Sequence, residues 1–188
     1  MLEPLFSDYR STVQDVLAFG LIIAAFVWGG GPERAVAATW LVVFEIFGRL
    51  HTMLLSEDFV LLDVDPFLAG KDIAAGAIWL LIALYANRNW TLWVAGTQLL
   101  AIGAHLARAL ADAVSPVAYA TMIIAPGWAQ LLLLGIGLLL HVLRERKHGP
   151  YRSWRTGRGG RTLPLVARVG GFGRTLGAIL PRGSESGR

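Results

Sequence analysis

The stretch LLLLGIGLLLHVL, Leu131 to Leu143, decides how this chain folds. Its one polar residue is His141, it shows no period-two alternation, and it is too long and too apolar for an ordinary strand. A second block, VLAFGLIIAAFVW from Val16 to Trp28, has the same character. Between them the composition agrees: 55% hydrophobic residues, 16% charged and a mean hydropathy of +0.55. A hydrocarbon core about 30 Å thick takes roughly 20 such residues per helix, so five spans need about 100 residues. The 188-residue chain has room for them. The expected fold class is therefore all-α: a polytopic transmembrane helix bundle of about five spans, with a basic, mostly irregular C-terminal tail.

Local signals divide residues 1–143, the expected transmembrane domain, into spans at about 13–28, 33–55, 66–87, 90–113 and 116–143. Ser7 or Asp8 can cap the first helix, and Gly29, Gly30 and Gly31 end it. Pro32 suits the first turn of the second, with Glu33 beside its positive dipole end. Asp65 and Pro66 open the third, Asn87, Arg88 and Asn89 form a turn, and Ser115 and Pro116 open the fifth. Pro126 and Gly127 lie inside that last segment, which predicts one kinked helix rather than a re-entrant piece and a short span. Glu3 and Asp8 precede the first basic residue, Arg10, so the first apolar segment is expected to be a retained helix.

Charge sets the expected orientation. Residues 1–143 hold 6 of the 17 basic and 11 of the 13 acidic residues, a net of −5, whereas residues 144–188 carry a net of +9. By the positive-inside rule the tail is cytoplasmic and, with five spans, the N-terminus lies outside. Trp28, Trp40, Trp90 and Trp93 then fall at the inner headgroup level as anchors. Lys71 and Lys147 are the only lysines among the basic residues, a bias that fits a GC-rich bacterial gene and hence a bacterial inner membrane. In the tail, Arg144, Arg146, Lys147, Arg152, Arg155, Arg158 and Arg161 form the expected contact with anionic lipid headgroups. No nucleic-acid recognition fold accompanies those arginines.

The chain has no cysteine, which removes disulfides, thiolate metal sites and thiol nucleophiles. The phosphate-loop, nucleophile-elbow and zinc-protease motifs are absent as well. What remains is polar residues inside apolar segments, where they are costly. Glu45, Arg49 and Thr52 share one face of the second helix, and the order Glu45 then Arg49 favours an ion pair. Thr91, Gln98, His105 and Asp112 recur every seven residues on the fourth helix, with Arg108 nearby. The candidate intramembrane site is Glu45, Arg49, Gln98, His105, Arg108 and Asp112, the two stripes facing each other across a shared interior. Gly103, Ala107 and Ala111 are expected to let the fourth helix pack closely on a neighbour.

Three functions follow in order. The first is a non-enzymatic accessory or scaffold protein, acting as a homo-oligomer or within a larger membrane complex. The second is a small oligomeric transporter or channel lined by the candidate polar residues. The third is a membrane redox protein using a quinone, or a haem held between His51 and His105, or else a lipid-modifying enzyme. No metal site and no other cofactor is expected.

Overall fold

The computed structural model describes residues 3–55, 66–111 and 116–154. Every regular element among them is helical, apart from one isolated antiparallel bridge between Ala86 and Trp154. Helix α1, Glu3–Trp28, stops where the Gly29 amide bonds the Ala25 carbonyl, at 2.9 Å. A side chain on Gly29 would collide with that same carbonyl oxygen. Gly30 then takes extended backbone, and Pro32 sits in the first turn of α2, Gly31–Trp40. A π-helical turn, Leu41–Ile46, joins α2 to α3, Phe47–Leu55, without breaking the rod. The Phe47 amide bonds the Val42 carbonyl, the i to i−5 pattern that inserts one residue into a helix.

Helix α4, Pro66–Tyr85, begins at its proline. After the turn at Asn87 to Asn89 comes α5, Trp90–Leu110. Helix α6, Pro116–His148, is one helix with Pro126 inside it. It also runs through Arg144 to His148, residues that the sequence reads as tail.

The rods close into a ring: α1 packs on α2 and α6, α2 on α4, α4 on α5 and α5 on α6, with α2 touching α6 across the middle. Neighbours in the chain run antiparallel. One end therefore gathers the Gly29 to Gly31 turn, the Asn87 to Asn89 turn and the end of α6; it is called the Arg88 end. The other, with the start of α4, the end of α5 and the start of α6, is the His105 end.

Trp40, Phe44 and Trp79 fill the α2–α4 contact, with ring centroids 5.0, 5.8 and 6.1 Å apart. Close approach elsewhere depends on two glycines. A Cβ on Gly76 would stand 2.9 Å from the Ile102 end methyl, where α4 meets α5, and one on Gly137 would enter the Trp90 ring, where α5 meets α6. The expected small-residue run does not serve this purpose. Gly103 and Ala111 face outward, and Ala101 and Ala104 are the buried small residues of α5. The tryptophans also divide: Trp28 and Trp93 are 63% and 68% exposed, but Trp40 and Trp90 are core residues at 4% and 8%. Glycine opposite Trp90 makes the room that draws it inward.

Among the described residues two helices are long and apolar enough to cross a membrane, α4 with mean hydropathy 1.7 and Val117–His148 of α6 with 2.0; the apolar part of α1, Thr12–Trp28, is shorter.

Candidate functional site

At the His105 end, three helices bring polar side chains into one buried chain of hydrogen bonds. His105 Nε2 lies 2.9 Å from Asp72 Oδ2, and His105 Nδ1 lies 2.8 Å from the Tyr119 hydroxyl. Asp72 comes from α4, His105 from α5 and Tyr119 from α6, and all three are buried. One assignment of hydrogens satisfies both contacts: Nε2–H donates to the Asp72 carboxylate, and Nδ1 accepts from the Tyr119 hydroxyl. Two turns along α5, Gln98 Nε2 donates to the Asp72 backbone carbonyl at 3.0 Å, and its Oε1 accepts from Gln130 Nε2 at 2.7 Å. The glutamines thus tie α4, α5 and α6 together just below the triad.

Chemically, the triad has the contacts that a proton relay needs. A proton passed from Tyr119 to His105 Nδ1 can be matched by one leaving Nε2 for Asp72, which leaves the ring in its other tautomer, so the ring must turn or exchange its protons before the next passage. The product is a phenolate, the other neutral tautomer of His105 and a protonated carboxyl, and a proton from the far side restores Tyr119.

A second cluster joins α1 to the rod of α2 and α3. Arg49 Nε and Nη2 donate to Glu45 Oε2 at 3.0 and 2.9 Å, and Nη2 reaches Asp15 Oδ2 at 2.7 Å. The guanidinium carbon sits 5.6 Å from the centre of the Phe19 ring.

The third cluster lies at the Arg88 end. Arg88 Nη1 donates to the Tyr151 hydroxyl and Nη2 to His141 Nδ1 at 3.2 Å, while Nε stands 3.5 Å from Glu33 Oε1. Arginine has no acceptor, so His141 Nδ1 must be unprotonated here. Thr91 caps the turn by donating to the Arg88 carbonyl at 2.7 Å.

The sequence-derived candidates therefore separate. Glu45 and Arg49 form their expected pair but turn to Asp15 on α1; Gln98 and His105 turn to α4 and α6. Helix α4 lies between the two stripes. A shared interior face does not form, because α4 packs against both helices and its Asp72 takes the His105 contact, while Arg49 reaches Asp15 on α1. Arg108 is half-buried on α5, one turn beyond His105, while Asp112, Arg155, Arg158 and Arg161 lie outside the described residues. Arg144, Arg146, Lys147 and Arg152 are exposed. The His51 ring stacks on Phe67 at 3.8 Å, and a haem at His105 would have to displace Asp72 or Tyr119.

Sequence reasoning missed Asp72, Tyr119, Gln130, Glu33, Arg88, His141 and Tyr151 as site residues. A signal existed on α6, where Tyr119, Gln130 and His141 are spaced by eleven residues, three helical turns, on one face. Comparison of the chain with family models, curated proteins and solved structures finds no match.

Proposed function

We propose that the protein is a multi-pass membrane protein that moves protons, as a small transporter or channel, through the Asp72–His105–Tyr119 relay. The relay is the observation that carries this reading. An aspartate, a histidine and a tyrosine in contact, out of water and drawn from three helices, give a proton-transfer chain that simple packing does not need.

The membrane reading is supported by an inside-out distribution. Ile23, Leu81, Leu100, Leu110 and Leu132 stand among the many large apolar side chains exposed on the outer surface, while Glu45, Asp72, Gln98, His105 and Gln130 are buried. A water-soluble monomer of this size rarely exposes so continuous an apolar surface. Five spans are the proposed number. Helix α5 and the α2–α3 rod are less apolar than α4, and Glu33, Glu45, Thr91, Gln98 and His105 among their polar residues are buried, while Arg49 is exposed but paired with Glu45 and Asp15. The proposed setting is a bacterial inner membrane, the N-terminus outside and residues 144–188 cytoplasmic at an anionic lipid surface. Five helices are few for a transporter, which favours a homo-oligomer.

The accessory or scaffold reading has its own support. Gly96 and Gly103, seven residues apart on the outward face of α5, have nothing within 4 Å of a would-be Cβ. Close docking of another helix fits there.

Proton entry into proteoliposomes under a potassium-diffusion potential, read with a trapped pH dye, tests the first reading. Wild-type vesicles are expected to acidify well above empty ones, and Tyr119→Phe, which removes one relay proton, to lose most of that rate. Wild-type entry equal to that of empty vesicles leaves the scaffold reading.

A further inference from the structure

The Arg88 end contains a fully buried carboxylate that, among the described residues, stands near a cation but accepts no hydrogen bond. Glu33 is 0% exposed, and neither of its oxygens has a hydrogen-bond partner. Such a group is costly to leave unmade. Its natural partner is adjacent: Arg88 Nε stands 3.5 Å away and is itself without an acceptor. Arg88 is held off by its other bonds, to Tyr151 and His141.

Tyr151 belongs to a strap, residues 149–154, that folds back under the bundle. Gly149, at φ 75°, ends α6 with its amide on the Glu145 carbonyl at 2.8 Å, and Pro150 follows. The Ser153 carbonyl accepts from the Asn87 amide at 3.1 Å. The Trp154 indole packs against Gly31, where any side chain would collide with it. A Cβ on Gly30 would lie 3.1 Å from Ser153 Oγ and 2.9 Å from Glu33 Oε2. The Tyr151 ring lies against both Arg88 and Arg144, 4.5 and 5.2 Å from their guanidinium carbons. Two of the three glycines that end α1, Gly30 and Gly31, are thus the seat of this strap as well as part of a turn.

We propose that the strap is a latch and that Arg88 exchanges partners when it opens, leaving Tyr151 for Glu33. Closed, Arg88 bonds the strap and Glu33 goes without a donor. Open, the guanidinium turns its fork to the carboxylate and makes the two-point pair that this geometry withholds. Each state satisfies Arg88 with a different partner, which keeps both within reach of each other. The closed latch covers Glu33, Arg88 and His141 from the side that carries the tail.

The chain's lack of cysteine permits a direct test. In the full-length protein in nanodiscs, Ser153→Cys supplies a single thiol beneath the strap, and its rate of reaction with a soluble maleimide reads opening. Adding Tyr151→Phe deletes a hydrogen bond to a charged group and should speed labelling on the order of tenfold. Arg144→Gln, at an exposed position, should speed it less. Glu33→Gln should slow it, because the open state loses its pair. Labelling that quickens or stays unchanged in Glu33→Gln overturns the exchange, as does no increase from either Tyr151→Phe or Arg144→Gln. The rate reads only the strap, so absent proton flux would leave this inference standing, and a failed latch would leave the relay standing.

Discussion

The two ends of the bundle use similar side chains to opposite effect. At the His105 end both ring nitrogens of His105 have a buried partner, so Asp72, His105 and Tyr119 form a chain. At the Arg88 end a single guanidinium serves Tyr151 and His141 and stands just beyond hydrogen-bond distance from Glu33. A matched chain of this kind is held in place by its own hydrogen bonds. A cation with one neighbour left over has a reason to move. The difference lies in the supports: three regular helices hold the triad, whereas an irregular strap closes the other end.

Substitutions at the Arg88 end should cost more stability. Arg88→Ala removes the bonds to Tyr151 and His141 and leaves Glu33 buried with no cation, a loss of about 3–5 kcal/mol for a broken buried pair. Thermal unfolding in detergent should show this as the largest drop among the variants considered. A loss no greater than that of an exposed substitution would mean that the strap and its arginine do not hold this end.

Helix spacing sharpens the contrast. Gly137→Leu drives a side chain into the rigid Trp90 ring, so it should cost about 1–3 kcal/mol, the usual range for overpacking. Gly76→Leu meets the flexible end of Ile102 first and should cost less. The reverse order, read by the same unfolding measurement, would show that α4 and α5 are the tighter contact.

Much of this fold was legible in the residues. Apolar blocks mark the helices, and Pro66 and the Asn87 to Asn89 turn lie at helix starts. Seven-residue spacing identified Gln98 and His105 as sharing a face, and both are buried. Their partners were not legible, because Asp72 beside Lys71 reads as the polar start of a helix and Tyr119 as an interfacial aromatic. Only the packing of α4 and α6 on α5 joins them. Glu33 read as a dipole partner of its helix, and its burial depends on a strap over a hundred residues later. The Glu45 and Arg49 pair was visible through its i, i+4 spacing. Its third member, Asp15, belongs to another helix and carried no signal.

The central claim is that the triad carries protons and does more than glue helices. Asp72→Asn tests it most directly: asparagine can still accept the His105 Nε2 hydrogen, but it cannot take the proton. Hydrogen bonds inside membrane bundles average only about 0.6 kcal/mol, so stability should scarcely change. Loss of a positioned proton acceptor typically slows transfer about a hundredfold or more. Proton entry into proteoliposomes and thermal unfolding should be measured on the same preparation. A proton-carrying triad gives Asp72→Asn entry near the empty-vesicle level with wild-type unfolding; wild-type entry in that variant, or loss of entry only in step with stability, would mean that the triad only holds helices together.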